Sequence, residues 1–337
     1  MNGSAPDLIL TETGCNFCDE ARKSSEDNKK LVLHDLLWKI LKDGQERDYD
    51  VLMGLSGGAD SSTALHHIVS LGLRPYCFSM DNGWQTPEAD ENIMRLVEGL
   101  NVPFYRYVID QGKFRELQSA FLKAGLINAE IPTDHILTAA AYELANKYGI
   151  KWIISGGNTA TESIMPPSWS YPARDLTHIK DVYRKVMGRE IKGLPMMGIL
   201  KFNFYQWVKG IRTVNLLDYF PYDRTEAVKL LEDKYGYKSY GEKHEESLFT
   251  KWFQNFYLFT KFGIDKRIAH YSSLIVAGQM TRSKAVELLQ ASPVYPKFGI
   301  ESRVLKYPKR DHKEFKTDEK LWNFLCKVVR FVRIWKF

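Results

Sequence analysis

Short apolar runs alternate with helical patterns along the first half of the chain. Each run has the length of a strand, and apolar residues recur at helical spacing between the runs. The pattern predicts strands at 49–55, 75–81, 103–110 and 151–158, and helices at 60–71, 87–100 and 134–148. This alternation indicates an α/β fold, with a doubly wound, mostly parallel sheet covered by helices on both faces.

After about residue 245 the periodicity is helical only. The segments LFTKWFQNFYLFTKF, DKRIAHYSSLIVAGQ and TRSKAVELLQ predict three helices, the last beginning at Thr281. A boundary near residue 240 therefore gives an N-terminal segment (1–45), an α/β body (46–240) and a helical C-terminal region (241–337).

The C-terminal tail, KLWNFLCKVVRFVRIWKF (320–337), predicts an amphipathic helix with a basic face. Two interpretations stay open. The apolar face packs on the rest of the domain, or the helix docks a partner or lies on an anionic membrane surface as a peripheral contact.

Charge and composition narrow the function classes. The net charge is +6, and residues 301–337 hold 11 Lys and Arg against 5 Asp and Glu, so the remainder is neutral. A nucleic-acid-binding protein usually carries a basic face on its folded body, so we expect no nucleic-acid partner. There is no apolar run of membrane-span length, no signal-peptide pattern and no disulfide framework among the four cysteines. We expect a soluble, cytoplasmic protein.

The stretch GLSGGADSST (54–63) lies between the first predicted strand and the first predicted helix. In an open parallel sheet, ligands bind at this kind of position. The glycines let the backbone approach a ligand, and the helix start favours a bound phosphate. The loop lacks the lysine with which a Walker A loop serves γ-phosphoryl transfer. The loop therefore favours cleavage of the bond between the α- and β-phosphates of ATP.

The string SGGADS matches the SGGxDS signature of the PP-loop ATP pyrophosphatases. The resemblance implies binding of ATP through Ser56, Gly57, Gly58, Asp60, Ser61 and Ser62, with adenine near Ser79, Met80 and Asp81. Asp60 is the candidate for Mg²⁺, which bridges phosphate oxygens. A second glycine pair, Gly156 and Gly157 in SGGNTATES, follows another predicted strand and is expected at the same sheet edge.

Four further segments indicate a particular family among the PP-loop enzymes. GCNFCDEARK, PTDHILTAAAYELANKYGIKWIISGGNTATES, LLDYFPYDRTEAVKLLEDKYGYKSYGEKHEES and FGIDKRIAHYSSLIVAGQMTR together resemble the N-acetyl sugar amidotransferases of lipopolysaccharide O-antigen and nonulosonic acid biosynthesis. The resemblance implies conversion of an acetamido group on a nucleotide-activated sugar into an acetamidino group, with ATP and ammonia as co-substrates. The acetamido oxygen is adenylated, pyrophosphate leaves, and ammonia displaces AMP.

Such chemistry asks the protein to position substrates and to stabilise charge on the α-phosphate. The catalytic candidates are Asp60, Asp134, Glu162 and Lys201. The substrate-binding candidates are His135, Asn158, Glu162 and His244, and further cationic candidates are Lys180 and Lys243. Simpler interpretations stay open: a helix N-cap at Thr133-Asp134, a helix-start carboxylate at Glu162 and a surface histidine at His244.

Cys15 and Cys18 have the spacing with which two thiolates share a zinc ion. A structural zinc site needs four ligands, so the pair is half a site, and a turn without metal is the alternative. His244 or another residue could complete the set.

Ammonia has to come from another protein. A glutaminase needs an activated cysteine, whereas residue 2 is Asn and Cys77 lies inside a predicted strand. We therefore expect a separate glutaminase subunit as partner.

Two competing functions remain. A PP-loop enzyme that modifies tRNA by thiolation or lysidine formation would need a basic body and, for sulfur transfer, a reactive cysteine near the loop. A non-catalytic nucleotide-binding module would be favoured if the second glycine pair lay away from the ATP site.

Overall fold

A computed structural model describes residues 1, 3–240, 243 and 245–325. Five of the strands form one sheet, and the first two form a small antiparallel hairpin. The strands of the described residues are β1 (Leu10–Thr11), β2 (Gly14–Cys15), β3 (Val51–Gly54), β4 (Pro75–Asp81), β5 (Phe104–Val108), β6 (Trp152–Ser155) and β7 (Arg212–Asn215).

The five-stranded sheet is wholly parallel and has the order β5-β4-β3-β6-β7. In the central strand, Val51 is in register with Pro75 of β4 on one side and with Trp152 of β6 on the other. The chain builds outwards first on one side of β3 and then on the other. The topological switch point therefore lies between the carboxyl ends of β3 and β6.

Helices cover the sheet and form the C-terminal region. Two π-helical segments, Phe204–Val208 and Phe253–Phe262, continue the helices that precede them. The α-helices of the described residues are α1 (Asn16–Asn28), α2 (Leu33–Gly44), α3 (Ala59–Ser70), α4 (Pro87–Leu100), α5 (Gln111–Ala124), α6 (Ile131–Lys147), α7 (Thr159–Glu162), α8 (Leu176–Met187), α9 (Ile199–Asn203), α10 (Arg224–Tyr235), α11 (Leu248–Trp252), α12 (Lys266–Val276), α13 (Arg282–Leu289) and α14 (Glu301–Lys306). The parallel α/β fold and the helical C-terminal region are therefore confirmed.

Local sequence signals explain the helix ends. The hydroxyl of Thr86 accepts a hydrogen bond from Ala89 N (3.2 Å) at the start of α4, with Pro87 in the first turn. The same helix ends at Asn101, whose φ of +50° is left-handed. Thr281 caps α13 by accepting from Lys284 N, at the helix start that the sequence predicts.

The C-terminal helices share a hydrophobic core with the α/β body. Trp252 and Tyr257 are fully buried in the same cluster as Phe114 and Phe121 of α5. Burial of large aromatic side chains on both partners gives this contact much of its stability. The two regions are thus packed together, and the division near residue 240 stays a prediction.

The tail lies mostly outside the described residues. Residues 319–325 are helical, and the Trp322 ring lies beside Arg174, 4.3 Å from the ring centroid to the guanidinium carbon. The predicted basic face from residue 326 onwards is outside the described part of the chain, as is His244. Within the described part, no helix is both long enough and apolar enough to cross a membrane.

Candidate active site

The SGGADS loop connects β3 to α3 and is held by its own serines. Gly58 N donates to Ser56 Oγ (3.2 Å), Ser61 Oγ donates to Gly58 O (3.2 Å), and Ser56 N donates to Ser61 Oγ (3.3 Å). Gly57 has a φ of +81° and packs on the backbone of Ala89, so no residue with a side chain fits there. The loop therefore places two hydroxyls and the N-terminus of a twelve-residue helix at one point.

The second glycine pair lies against the first loop. A Cβ atom on Gly156 would be 2.9 Å from both N and Cα of Ser61, so the two backbones are in direct contact. Gly157 N donates to Ser155 Oγ (3.0 Å), which tightens the turn after β6. Both glycine pairs therefore meet at the topological switch point, as the sequence predicts.

A cavity of about 360 Å³ opens beside these loops. One side is polar and includes Ser56, Gly58, Asp60 and Ser61. The other side is apolar and is built by strands β4 and β6 and helix α6. Its lining side chains are Phe78, Met80, Leu137, Ala141, Tyr142, Ile153 and Ile154. A cavity with one apolar and one polar side suits a ligand that has both a flat ring and phosphates.

Lys243 connects two acidic side chains at the polar side. Its Nζ lies 2.6 Å from Asp60 Oδ2 and 2.9 Å from Glu162 Oε1, and it also donates to Thr161 Oγ1. The Lys243 side chain is only 7% exposed. The charge of this buried cation is therefore compensated by two carboxylates beside the N-terminus of α3.

Asp60 is further oriented by two neutral groups. The Tyr222 hydroxyl donates to Asp60 Oδ1, and Asn158 Nδ2 donates to Asp60 Oδ2 (3.3 Å). Burial, and then the charge of Asp60, raise the pKa of Tyr222 far above its usual range, so Tyr222 stays a hydrogen-bond donor. Asn158 also caps α7 by accepting from Thr161 N (2.9 Å). Asn158 therefore positions Asp60, and the structure does not place it among the residues that line the cavity.

Three residues that were not predicted from the sequence complete the polar side. Tyr240 donates its hydroxyl proton to Gly57 O (3.2 Å), and Glu246 lines the cavity beside it. Burial raises the pKa of Glu246. Arg224 also lines the cavity. Residues 216–247, LLDYFPYDRTEAVKLLEDKYGYKSYGEKHEES, carry these residues and Tyr222, and this segment belongs to the family resemblance.

Three predicted residues lie away from the cavity. His135 is buried, its Nδ1 donates to Ala173 O (2.7 Å), and its Nε2 accepts from Met197 N (3.2 Å). Burial lowers the pKa of this ring, so it is neutral and both nitrogens are used by the backbone. Lys201 is exposed and pairs with Glu143 (2.8 Å), and Lys180 is exposed on α8. None of the three lines the cavity, and their proposed roles with substrate stay predictions.

Asp134 lies in a separate charged group in the first turn of α6. Desolvation and the Asp134 charge raise the pKa of half-buried Glu130 to about 7, and neighbouring protein atoms raise the pKa of Asp134, although Asp134 is an exposed residue. Burial lowers the pKa of nearby Lys266 to about 8. Asp134 does not line the cavity, and α6 begins at Ile131, so Asp134 is not its N-cap either.

Of the residues predicted to lie near adenine, only some line the cavity. Met80 lines the cavity, whereas Ser79 is buried with its hydroxyl 3.5 Å from Gln85 Oε1. Asp81 Oδ1 accepts from Gly83 N (3.0 Å) and so stabilises the turn after β4. Ser62 is buried within α3. Alternation along a strand explains the difference between Ser79 and Met80, because neighbouring side chains face opposite sides of a sheet.

The structure does not support the zinc prediction. Cys15 and Cys18 are close, with 3.3 Å between the sulfur atoms. Among the described residues, however, no group of three or more His, Cys, Asp or Glu side chains is placed to hold a metal ion. The pair lies at the start of α1, where β2 ends, and it joins the hairpin to the helix.

Comparisons with known proteins found structural neighbours of low sequence identity and one family match in the C-terminal region. The structural neighbours include a predicted subunit of tRNA methyltransferase from Methanocaldococcus jannaschii (15% identity, TM-score 0.32, 54% of this chain and 73% of that chain). They also include NMN synthetase from Francisella tularensis (13%, 0.31, 69% and 89%) and NH3-dependent NAD synthetase from Campylobacter jejuni (15%, 0.32, 68% and 99%). The comparison with curated proteins found no match. Residues 246–317, in the helical region that follows the parallel α/β body, match the family described as "LPS biosynthesis protein WbpG-like, C-terminal domain".

Proposed function

We propose that the chain is the synthetase subunit of an ATP-dependent, AMP-forming amidotransferase. Its substrate is a nucleotide-activated N-acetyl sugar, whose acetamido group becomes an acetamidino group during O-antigen biosynthesis. One observation carries the proposal: a phosphate loop without a Walker lysine lies at the switch point of a parallel sheet, in contact with a second glycine loop. The WbpG-like domain supports the pathway.

The cavity has the two surfaces that ATP requires. The adenine ring fits the apolar wall of Met80, Leu137 and Tyr142. The phosphates fit the loop side, where the N-terminus of α3 and the hydroxyls of Ser56 and Ser61 can donate to them. Lys243 comes from a distant segment rather than from the loop. It therefore does not occupy the position from which a Walker A lysine contacts the γ-phosphate.

The residues present also fit a magnesium ion. Mg²⁺ usually takes one or two protein carboxylates together with phosphate oxygens and water. Asp60 and Glu162 line the cavity on the phosphate side, and both contact Lys243 Nζ. When bound, the ion neutralises charge on the phosphates; the chain contributes Asp60, which Tyr222 and Asn158 hold in a fixed orientation.

The reaction has two steps. The acetamido oxygen forms a bond to the α-phosphorus, and the bond from that phosphorus to the β-phosphate bridge breaks, which releases pyrophosphate. The nitrogen of ammonia then bonds to the amide carbon, the carbon–oxygen bond to AMP breaks, and the added nitrogen loses one proton. Lys243 and Arg224 are the cations that can stabilise the charge on the α-phosphate in both steps.

Ammonia is proposed to come from a separate glutaminase subunit. Cys77 lies in the middle of β4, fully buried, and burial raises its pKa to about 12. A thiol in this state is not a nucleophile at neutral pH. ATP, glutamine and nucleotide sugars are supplied in the cytoplasm, which we propose as the location of the enzyme.

The products of ATP test the proposal. With Mg²⁺, ammonium and a panel of acetamido-sugar nucleotides, we expect AMP and pyrophosphate in equal amounts, together with a product in which nitrogen replaces the acetamido oxygen. Asp60→Ala should abolish this turnover and keep the fold. Release of ADP and phosphate would contradict the assignment, and turnover with a tRNA substrate instead would favour the tRNA-modifying alternative.

A further inference from the structure

A second cavity, of about 590 Å³, lies next to the candidate active site. It is enclosed by α1, the start of α7, the 217–223 segment and the end of α12. Asn28 Nδ2 donates to Thr159 Oγ1 (2.8 Å) at its edge, so α1 of the N-terminal segment forms part of the opening. None of these elements contributes to the apolar wall that fits adenine.

One layer of side chains separates the two cavities. Asn158 and Tyr222 line the second cavity, and both donate hydrogen bonds to Asp60, which lines the first. Asn158 is 3% exposed and Tyr222 is 8% exposed. A molecule that passes these two side chains therefore arrives beside Asp60, at the phosphate side of the first cavity.

The second cavity is acidic. Its lining includes the carboxylates of Asp218, Asp223 and Glu226, whereas Lys29 is the one lysine or arginine among the described residues that line it. Clefts with an excess of one charge concentrate the oppositely charged solute. This cavity therefore attracts a small cation and disfavours nucleotides and sugar phosphates, which are anions.

The first cavity is filled once its substrates bind. Its volume of about 360 Å³ is needed for ATP, and the acetamido group has to lie against the α-phosphate. Exclusion of water at that stage protects the adenylated intermediate from hydrolysis. Ammonia then needs an approach that neither substrate occupies.

We propose that the second cavity is the entrance through which ammonia reaches the acetamido carbon, past Asn158 and Tyr222. This inference rests on the proposed function. Ammonium is collected by the acidic lining and loses a proton before it passes the neutral side chains of the dividing layer. Ammonia then attacks the carbon, AMP leaves with the former acetamido oxygen, and one further proton is released.

A substitution at the opening tests the inference. Ala277 is exposed, lines the second cavity and touches no part of the proposed catalytic group, so Ala277→Trp narrows the entrance. Ser283→Trp is the matched control, because Ser283 is exposed nearby on α13 without lining the cavity. Ser25→Trp narrows the same opening from α1. This variant replaces Ala277→Trp in the test if Ala277→Trp does not fold.

Two assays separate this inference from the proposed function. Exchange of pyrophosphate into ATP, with the sugar nucleotide and without ammonium, reports adenylation alone. We expect Ala277→Trp to leave this exchange unchanged and to raise the ammonium concentration for half-maximal amidine formation about tenfold, which corresponds to about 1.4 kcal/mol. If Ala277→Trp has normal pyrophosphate exchange and the same half-maximal ammonium concentration as the unmodified chain, the second cavity is not the entrance for ammonia. Absence of sugar-dependent exchange in the unmodified chain would instead refute the proposed function.

Discussion

Replacing Gly156 by alanine places a methyl group where the two glycine loops touch. A Cβ atom there would lie 2.9 Å from both N and Cα of Ser61. Carbon atoms are normally about 3.5 to 4.0 Å apart in contact, so one loop has to move by roughly 0.5 to 1 Å. Ser61 is at the first turn of α3, and its displacement moves the phosphate-binding hydroxyls.

The expected effect follows from that displacement. A misplacement of about 1 Å near reacting groups costs about 10²-fold in rate, so Gly156→Ala should lower kcat/KM for AMP release by about 10²-fold. The crowding should also destabilise the fold by about 1 to 3 kcal/mol, as overpacking does elsewhere. Initial rates of AMP release and thermal unfolding measure the two effects.

Gly157→Ala is the matched control. Its Cβ atom would be 3.3 Å from Glu162 Oε2 and from Ser155 Oγ, both of which are side-chain tips that can shift. We expect a loss of less than about tenfold, or about 1.4 kcal/mol in the barrier. If both variants fold and keep rates within twofold of each other, the contact between the two loops does not position the phosphate site.

Three further predictions concern Lys243 at the site and buried histidines elsewhere in the fold. Lys243→Met leaves two carboxylates without the buried cation between them. The free energy of unfolding should fall by about 3 kcal/mol, and AMP formation should be strongly reduced. Denaturant unfolding that gives an unchanged free energy would contradict this. His135→Ala removes two backbone contacts and should cost about 1 to 3 kcal/mol of stability with KM for both substrates unchanged, whereas a raised KM would restore its substrate role. Burial lowers the pKa of His178 to about 4 and that of His312 to about 3, so the unfolded chain binds protons that the folded chain does not. The contribution of these two rings to stability should therefore be full above about pH 6.5 and decrease as the pH falls towards 4, and a His178→Phe/His312→Phe variant whose unfolding has the same pH dependence as the unmodified chain would refute this.

The bounds of several strands and helices could be predicted from short stretches of the sequence. The strand 75–81 and the helix 87–100 have the predicted bounds, because an apolar run and a Thr-Pro helix start define them. Strand β7 was not predicted, since its four residues are half-exposed or exposed and show no apolar run. The ten-residue π-helical continuation after α11 also has no sequence signature that distinguishes it from an α-helix.

The candidate site divides in the same way. The loop residues are neighbours in sequence, so the SGGADS string was enough to place them. Lys243 pairs with Asp60 across 183 positions, and only the family resemblance of its segment indicated it. His135 and Lys201 were selected for their chemistry, but the direction of a side chain on a helix depends on packing with segments far away in the sequence.

The central claim is that the acetamido oxygen is adenylated, and a heavy-oxygen label tests it most directly. The acetamido group of the sugar nucleotide is labelled, and the chain is supplied with unlabelled ATP, Mg²⁺ and ammonium. The account predicts that the label appears in the phosphate of AMP and that pyrophosphate remains unlabelled. Label recovered in inorganic phosphate together with ADP, or an amidine product formed without labelled AMP, would contradict it.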